Sequence, residues 1–206
     1  MLRSLKIPPA LLMLIAMLVT ACATTQLTSV WKDQGYQKRP AMYMIISVDS
    51  NPVTRKFFED EFAGQIKARG TEAIASYTVL AEDHQEDPAA IAEVVAKLGA
   101  DAVLITRVAS KNNAPVRAPK TLYNPVPYSP KWQDYYGHDN TSIYPPGIIA
   151  GEGVTDMETR MYEAVDVKMV WSASSETEIG GSYQQRIKGY IDVMVKTMAR
   201  QGLLGR

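Results

Sequence analysis

Between residues 41 and 108 the chain alternates twice between a short apolar run and an amphipathic stretch, and no other feature limits its fold as much. Residues 41–48 (AMYMIISV) form an unbroken apolar run, the pattern of a strand buried on both faces. The run ends at Asp49-Ser50-Asn51-Pro52, where Ser50 or Asn51 can cap free amides and Pro52 suits a first helical position. Val53, Phe57, Phe58, Phe62 and Ile66 then recur at helical spacing, which predicts a helix to Gly70 with Arg55, Glu59, Asp60 and Lys67 in water. Residues 71–80 read as a second strand. A helix restarts at Asp87-Pro88 with Ile91, Val94, Val95 and Leu98 inward, Gly99 as its left-handed stop, and Ala102 to Ile105 with Val108 as a third strand. Strand, helix, strand, helix, strand predicts parallel strands joined by right-handed crossovers.

Residues 112–153 break this order, because seven of the twelve prolines and five of the eleven tyrosines fall there. Prolines remove amide donors and fix the backbone, so the segment reads as a long irregular insertion, partly polyproline-like. Alternation then returns: Met157, Thr159 and Met161, followed by Val167, Met169, Trp171 and Ala173, predict a β-hairpin turning near residues 163–166. Ser182 can cap a last helix whose buried face is Tyr183, Ile187, Tyr190, Ile191, Met194, Val195 and Met198, with Gly202 ending it. The expected class is therefore α/β: a βαβαβ unit, the insertion, a hairpin and a C-terminal helix, forming a mixed sheet packed by helices. Residues 41–206 make one such domain. Trp31, Trp171 and the methionines Met157, Met161, Met169, Met194 and Met198 recur at the period of their elements and are expected in the core.

The N-terminus carries an address. Arg3 and Lys6 precede a ten-residue apolar run, residues 10–19, which has the layout of an export signal and is half the length of a spanning helix, about 20 residues. The run closes on Leu18-Val19-Thr20-Ala21-Cys22, and Cys22 is the only cysteine of the chain, so no disulfide, cysteine-based zinc cluster or dithiol pair can form within it. These residues resemble the lipobox of bacterial lipoproteins: an aliphatic residue, a small residue, then cysteine. The resemblance implies that Val19, Thr20 and Ala21 are read by a lipoprotein signal peptidase that removes residues 1–21. It further implies that Cys22 becomes an acylated first residue, followed by a tether over residues 22–40 with a first contact at Val30-Trp31. Ala23, in place of an aspartate after the cysteine, implies sorting to the outer membrane. Two or three acyl chains hold a protein firmly where one alone binds only marginally.

Charge and chemistry exclude several functions. Lysine and arginine number 22, as do aspartate and glutamate, and loss of residues 1–21 leaves the acidic residues in excess, so no electrostatic basis for nucleic-acid binding exists. With two histidines the supply of general bases is poor, and no nucleophile elbow, phosphate loop or His-Glu-x-x-His pattern occurs. His84 lies in the acidic string at residues 82–87, which lacks calcium-loop or zinc-ligand spacing and reads as a solvated connection; His138 reads as exposed, and Asp101 as a turn-fixing residue. No metal, cofactor or catalytic centre is expected.

The aromatic insertion is the better candidate surface, since Tyr123, Tyr128, Trp132, Tyr135, Tyr136 and Tyr144 combine large contact area with little conformational entropy to lose on binding. These rings either cover the sheet or contact a partner. The order of elements, with Gly99-Ala100-Asp101-Ala102-Val103-Leu104 entering the third strand, resembles the small α/β domains of the curli-secretion lipoprotein, the activator lipoproteins of penicillin-binding proteins and the N-terminal domain of the Tol translocation protein. Residues 26–33 (QLTSVWKD), Tyr77-Thr78-Val79-Leu80 and Val170-Trp171-Ser172-Ala173 resemble uncharacterised lipoproteins of Gram-negative bacteria. These resemblances imply a non-catalytic envelope lipoprotein at the outer membrane, facing the periplasm, held in the bilayer by acylated Cys22 and partnered by an envelope protein. A periplasmic glycan or small-molecule binder using the aromatic insertion is the alternative, and an envelope hydrolase a third.

Overall fold

A computed structural model of the protein describes residues 25–49, 51–81, 84, 87–112, 154–178 and 182–205. These residues form the expected α/β architecture: strands β1 (Thr25–Lys32), β2 (Met42–Val48), β3 (Glu72–Ala75), β4 (Ala102–Asn112), β5 (Val154–Glu163) and β6 (Met169–Glu178), with helices α1 (Pro52–Lys67), α2 (Pro88–Leu98) and α3 (Tyr183–Arg200). The sheet order is β1-β6-β5-β4-β2-β3. Strands β3, β2 and β4 run parallel, and β4, β5, β6 and β1 are successively antiparallel.

Strand β2 lies between β3 and β4, so its apolar run must be covered on both faces. Tyr43 and Ile45 pack with Phe58, Phe62 and Ile66 of α1 and with Ile187, Tyr190, Ile191 and Met194 of α3. Met44 and Ile46 point the other way, into a cluster with Ile91 and Val95 of α2. The α1 connection moves from β2 to one side and the α2 connection moves back past β2 to the other. Crossovers of one hand running in opposite directions put their helices on opposite faces, as seen here.

Local signals set the helix ends. Asn51 Oδ1 accepts amide bonds from Val53 (2.9 Å) and Thr54 (3.3 Å), and Asp87 Oδ1 accepts one from Ala89 (2.8 Å). Gly99 closes α2 at φ 65°. Ser182 and Gln185 form a reciprocal capping box at the start of α3, with Gly202 beyond its end at φ 75°.

Six expectations need correction. The stretch assigned to a tether contains an ordered strand, β1, paired with β6 from Thr25 to Lys32. Helix α1 stops at Lys67, and the second strand is only Glu72–Ala75, because Ser76–Thr78 turns into a single 3-10 turn. In α1, Phe58, Phe62 and Ile66 are buried as expected, but Arg55 and Glu59 are buried with them while Val53 is 76% exposed. Residues 55, 59, 62 and 66 follow one line down the helix, and Val53 lies about 200° around the axis from Arg55, so it faces out when that line faces in. Trp31 is 42% exposed, since β1 is an outer strand and the α2 cluster draws on no residue of it; Trp171 and the five methionines do pack in or against the core. Tyr183, in the first turn of α3, is exposed as well.

Candidate functional site

The connections leaving β2 and β4 depart in opposite directions, so the carboxyl ends of these neighbours form the switch point at which open α/β sheets hold ligands. Two polar clusters flank it. On the α1 face, Glu59 Oε1 accepts the Ser47 amide (2.9 Å) and Arg55 Nε (3.1 Å), while Oε2 accepts the Tyr77 amide (3.0 Å). Ser76 Oγ lies within 2.8 and 2.9 Å of the two carboxylate oxygens and itself accepts from Arg55 Nη2 at 3.2 Å. Glu59 has no solvent exposure, and its oxygens are occupied by donors from β2, α1 and the turn after β3. A carboxylate held this way ties three elements together.

On the outer side of this turn, the Tyr77 hydroxyl donates to Asp60 (2.7 Å to Oδ1), and this hydrogen bond to a carboxylate pushes the phenol above its ordinary range. Lys56 sits 5.7 Å from the centroid of the same ring.

On the α2 face, Arg107 of β4 and Glu158 of β5 are direct cross-strand partners, and Arg160 Nε donates to Glu158 Oε1 at 2.9 Å. Val103, Ile105 and Arg107 share this face with their partners Tyr162, Arg160 and Glu158. The face is thus apolar under α2 and ionic towards the carboxyl end of β4, with all three charged side chains buried.

At the opposite end of the parallel strands, a groove of about 510 Å³ opens between the end of α2 and the β5–β6 turn. Tyr36, Lys38, Asp101 and Glu163 line its polar side, with Val95 and Val167 on the apolar side. Asp101 Oδ2 accepts the amides of Ala41 (2.8 Å) and Met42 (3.0 Å), the turn-fixing role expected for it, and Lys38 Nζ donates to Glu163 Oε1. Burial, then the negative charges of Glu163 and Asp101, push the Tyr36 phenol up to about 12. The turn itself carries strain: Val167 has φ 54°, a left-handed conformation unfavourable for a β-branched residue.

The residues singled out from sequence, Val19, Thr20, Ala21 and Cys22 together with Tyr123, Tyr128, Trp132, Tyr135, Tyr136 and Tyr144, all lie outside the described residues, as does His138. His84 is exposed, and among the described residues no three His, Cys, Asp or Glu side chains are grouped to hold a metal ion. The buried Arg55–Glu59 pair was missed because charge suggested solvent. A signal existed nonetheless in its alignment with Phe62 and Ile66 along one helical line.

No protein-family model matches the chain, and no curated protein matches it in sequence. Among solved structures it is similar to the PelC dodecamer from Paraburkholderia phytofirmans, at 12% identity and a TM-score of 0.48, over 89% of this chain and 99% of that one. It is also similar to lipoprotein GNA1162 from Neisseria meningitidis, at 17% identity and a TM-score of 0.38, over 79% and 97% of the two chains.

Proposed function

We propose that this chain is an outer-membrane lipoprotein, held in the bilayer by acylated Cys22, whose periplasm-facing α/β domain is a non-catalytic interaction or assembly module for an envelope protein. One observation carries the reading: the only cysteine stands directly after Leu18-Val19-Thr20-Ala21, at the end of an apolar run too short to span. Two further facts support it. No described helix is long and apolar enough to cross a membrane, which fits attachment through a lipid. The carboxylate at the switch point, Glu59, is saturated by hydrogen bonds and serves architecture.

Mass spectrometry of the mature protein from membranes tests the anchor: the expected N-terminus is Cys22 bearing acyl chains, and Cys22→Ser should abolish processing and membrane retention. An unmodified N-terminus, or a Cys22→Ser protein that matures and partitions unchanged, overturns it. In-cell crosslinking followed by mass spectrometry tests the assembly role by asking for a reproducible envelope partner.

A further inference from the structure

We propose that the free edge of the sheet, strand β1, lies flat along the bilayer surface with Leu27, Val30 and Trp31 at the interface. The inference deepens the lipoprotein reading and rests on acylation of Cys22. Thr25 is the third residue after Cys22, and a chain covers at most about 3.6 Å per residue, so the start of β1 cannot stand more than ~11 Å from the backbone of the acylated cysteine. The strand pairs only with β6 among the described residues, and its six central residues are exposed.

What it exposes fits a membrane interface. Leu27 (37%), Val30 (38%) and Trp31 (42%) are three of the large hydrophobics left in solvent, and tryptophan is the residue most at home where headgroups meet acyl chains. The strand TQLTSVWK contains no carboxylate to be repelled by anionic lipids or to be dehydrated at their surface. Its backbone groups on the open side can be satisfied by headgroups and interfacial water, which hydrocarbon could not do.

A second copy pairing edge to edge is the competing occupant. The register shift between Leu27 and Ser29 argues against it, because a bulge twists an edge strand away from the straight ladder such pairing needs. Orientation is the sharp part of the proposal. At about 3.3 Å per residue Trp31 lies ~20 Å along the strand from Thr25; Leu27 and Val30 share one face with Ser175 and Ala173 and Trp31 the other with Ser172, so all three side chains reach the interface only if the sheet stands on its edge with β1 parallel to the surface.

The test uses the full-length acylated protein in vesicles of phosphatidylethanolamine and phosphatidylglycerol, with and without lipids brominated near the glycerol end of their chains. Trp31 is read as the difference in emission between wild type and Trp31→Phe. Positions 27 and 30 are read from an environment-sensitive dye on Leu27→Cys or Val30→Cys, each the only free thiol once Cys22 is a thioether. Blue-shifted emission quenched by brominated lipid at all three positions supports the proposal. Quenching at position 27 alone means an upright strand and overturns it, as does the absence of quenching at all three. Disulfide-linked dimers through Val30→Cys overturn it in favour of a second copy. Mass analysis of the same preparation keeps the two readings apart: an acylated protein without quenching refutes only the membrane-facing strand, and an unacylated one refutes both.

Discussion

Arg55 Nε lies 3.1 Å from Glu59 Oε1 within α1, and both side chains are closed off from solvent although they sit one helical turn apart on what reads as a polar helix face. The pair gains its weight from neighbours outside the helix. Glu59 also terminates β2 through the Ser47 amide and holds the turn after β3 through Ser76 and the Tyr77 amide.

Replacing Glu59 should therefore destabilise the domain strongly. Removing one partner of a buried pair costs about 3–5 kcal/mol, and Glu59→Ala is expected in that range by urea denaturation. An apolar double replacement, Arg55→Met with Glu59→Met, should recover little, because the Ser47 and Tyr77 amides lose their acceptor. A double variant as stable as wild type would show that these amides do not depend on the carboxylate.

The left-handed Val167 reverses a usual order. In ordinary backbone regions glycine is worse than alanine, but at φ 54° only glycine escapes the steric penalty of roughly 1–2 kcal/mol for an L-residue. Val167→Gly should thus be more stable than Val167→Ala by about 1 kcal/mol, both variants losing the packing of Val167 against the α2 cluster. Equal midpoints in thermal unfolding would remove the argument for strain.

The end of α3 is held by distant groups: Lys32 Nζ donates to the Gln201 carbonyl (2.9 Å), Arg39 Nε to Gly202 (3.3 Å) and the Tyr43 hydroxyl to Leu203 (2.8 Å). Leu203 is fully buried beyond the helix terminus. Leu203→Ala should cost about 2–5 kcal/mol, the range for large-to-small core changes, far more than a residue so near the end of a helix would suggest. Chemical denaturation measures it.

Alkaline pH should unfold the domain through its phenols. Folding raises the Tyr36 phenol from 10.0 to about 12, so its contribution is fully present below pH 10 and is lost as pH rises through 12. Tyr43 and Tyr190 are pushed up more strongly, burial being the first cause for each. Ultraviolet titration should show an early phase from exposed tyrosines and a late, cooperative one coincident with loss of circular dichroism. A single phase near pH 10 with the fold intact would contradict the burial of these rings.

The order of secondary structure from β2 onward was legible because its signals are local: apolar periodicity, the caps at Asn51, Asp87 and Ser182, and left-handed glycines at Gly99 and Gly202. Each reports the backbone of one element and requires no knowledge of its neighbours. The role of Asp101 at a turn was readable for the same reason.

Burial of Arg55 and Glu59, exposure of Trp31 and the place of β1 at the sheet edge follow from another kind of information. An isolated helix shows which residues line up, but whether a charged line turns inward depends on donors supplied by other strands, here Ser47, Ser76 and Tyr77. A tryptophan is covered only if a helix reaches its face of the strand; Trp31 shares the α2 face with its partner Ser172, and the α2 cluster takes in no residue of β1. Amino-acid order alone thus specified the elements from β2 onward, the caps of the helices and a sole cysteine in a lipobox-like setting. Assembly of the sheet specified which polar groups are desolvated and which edge faces outward, because desolvation is a property of packed neighbours and not of any single residue.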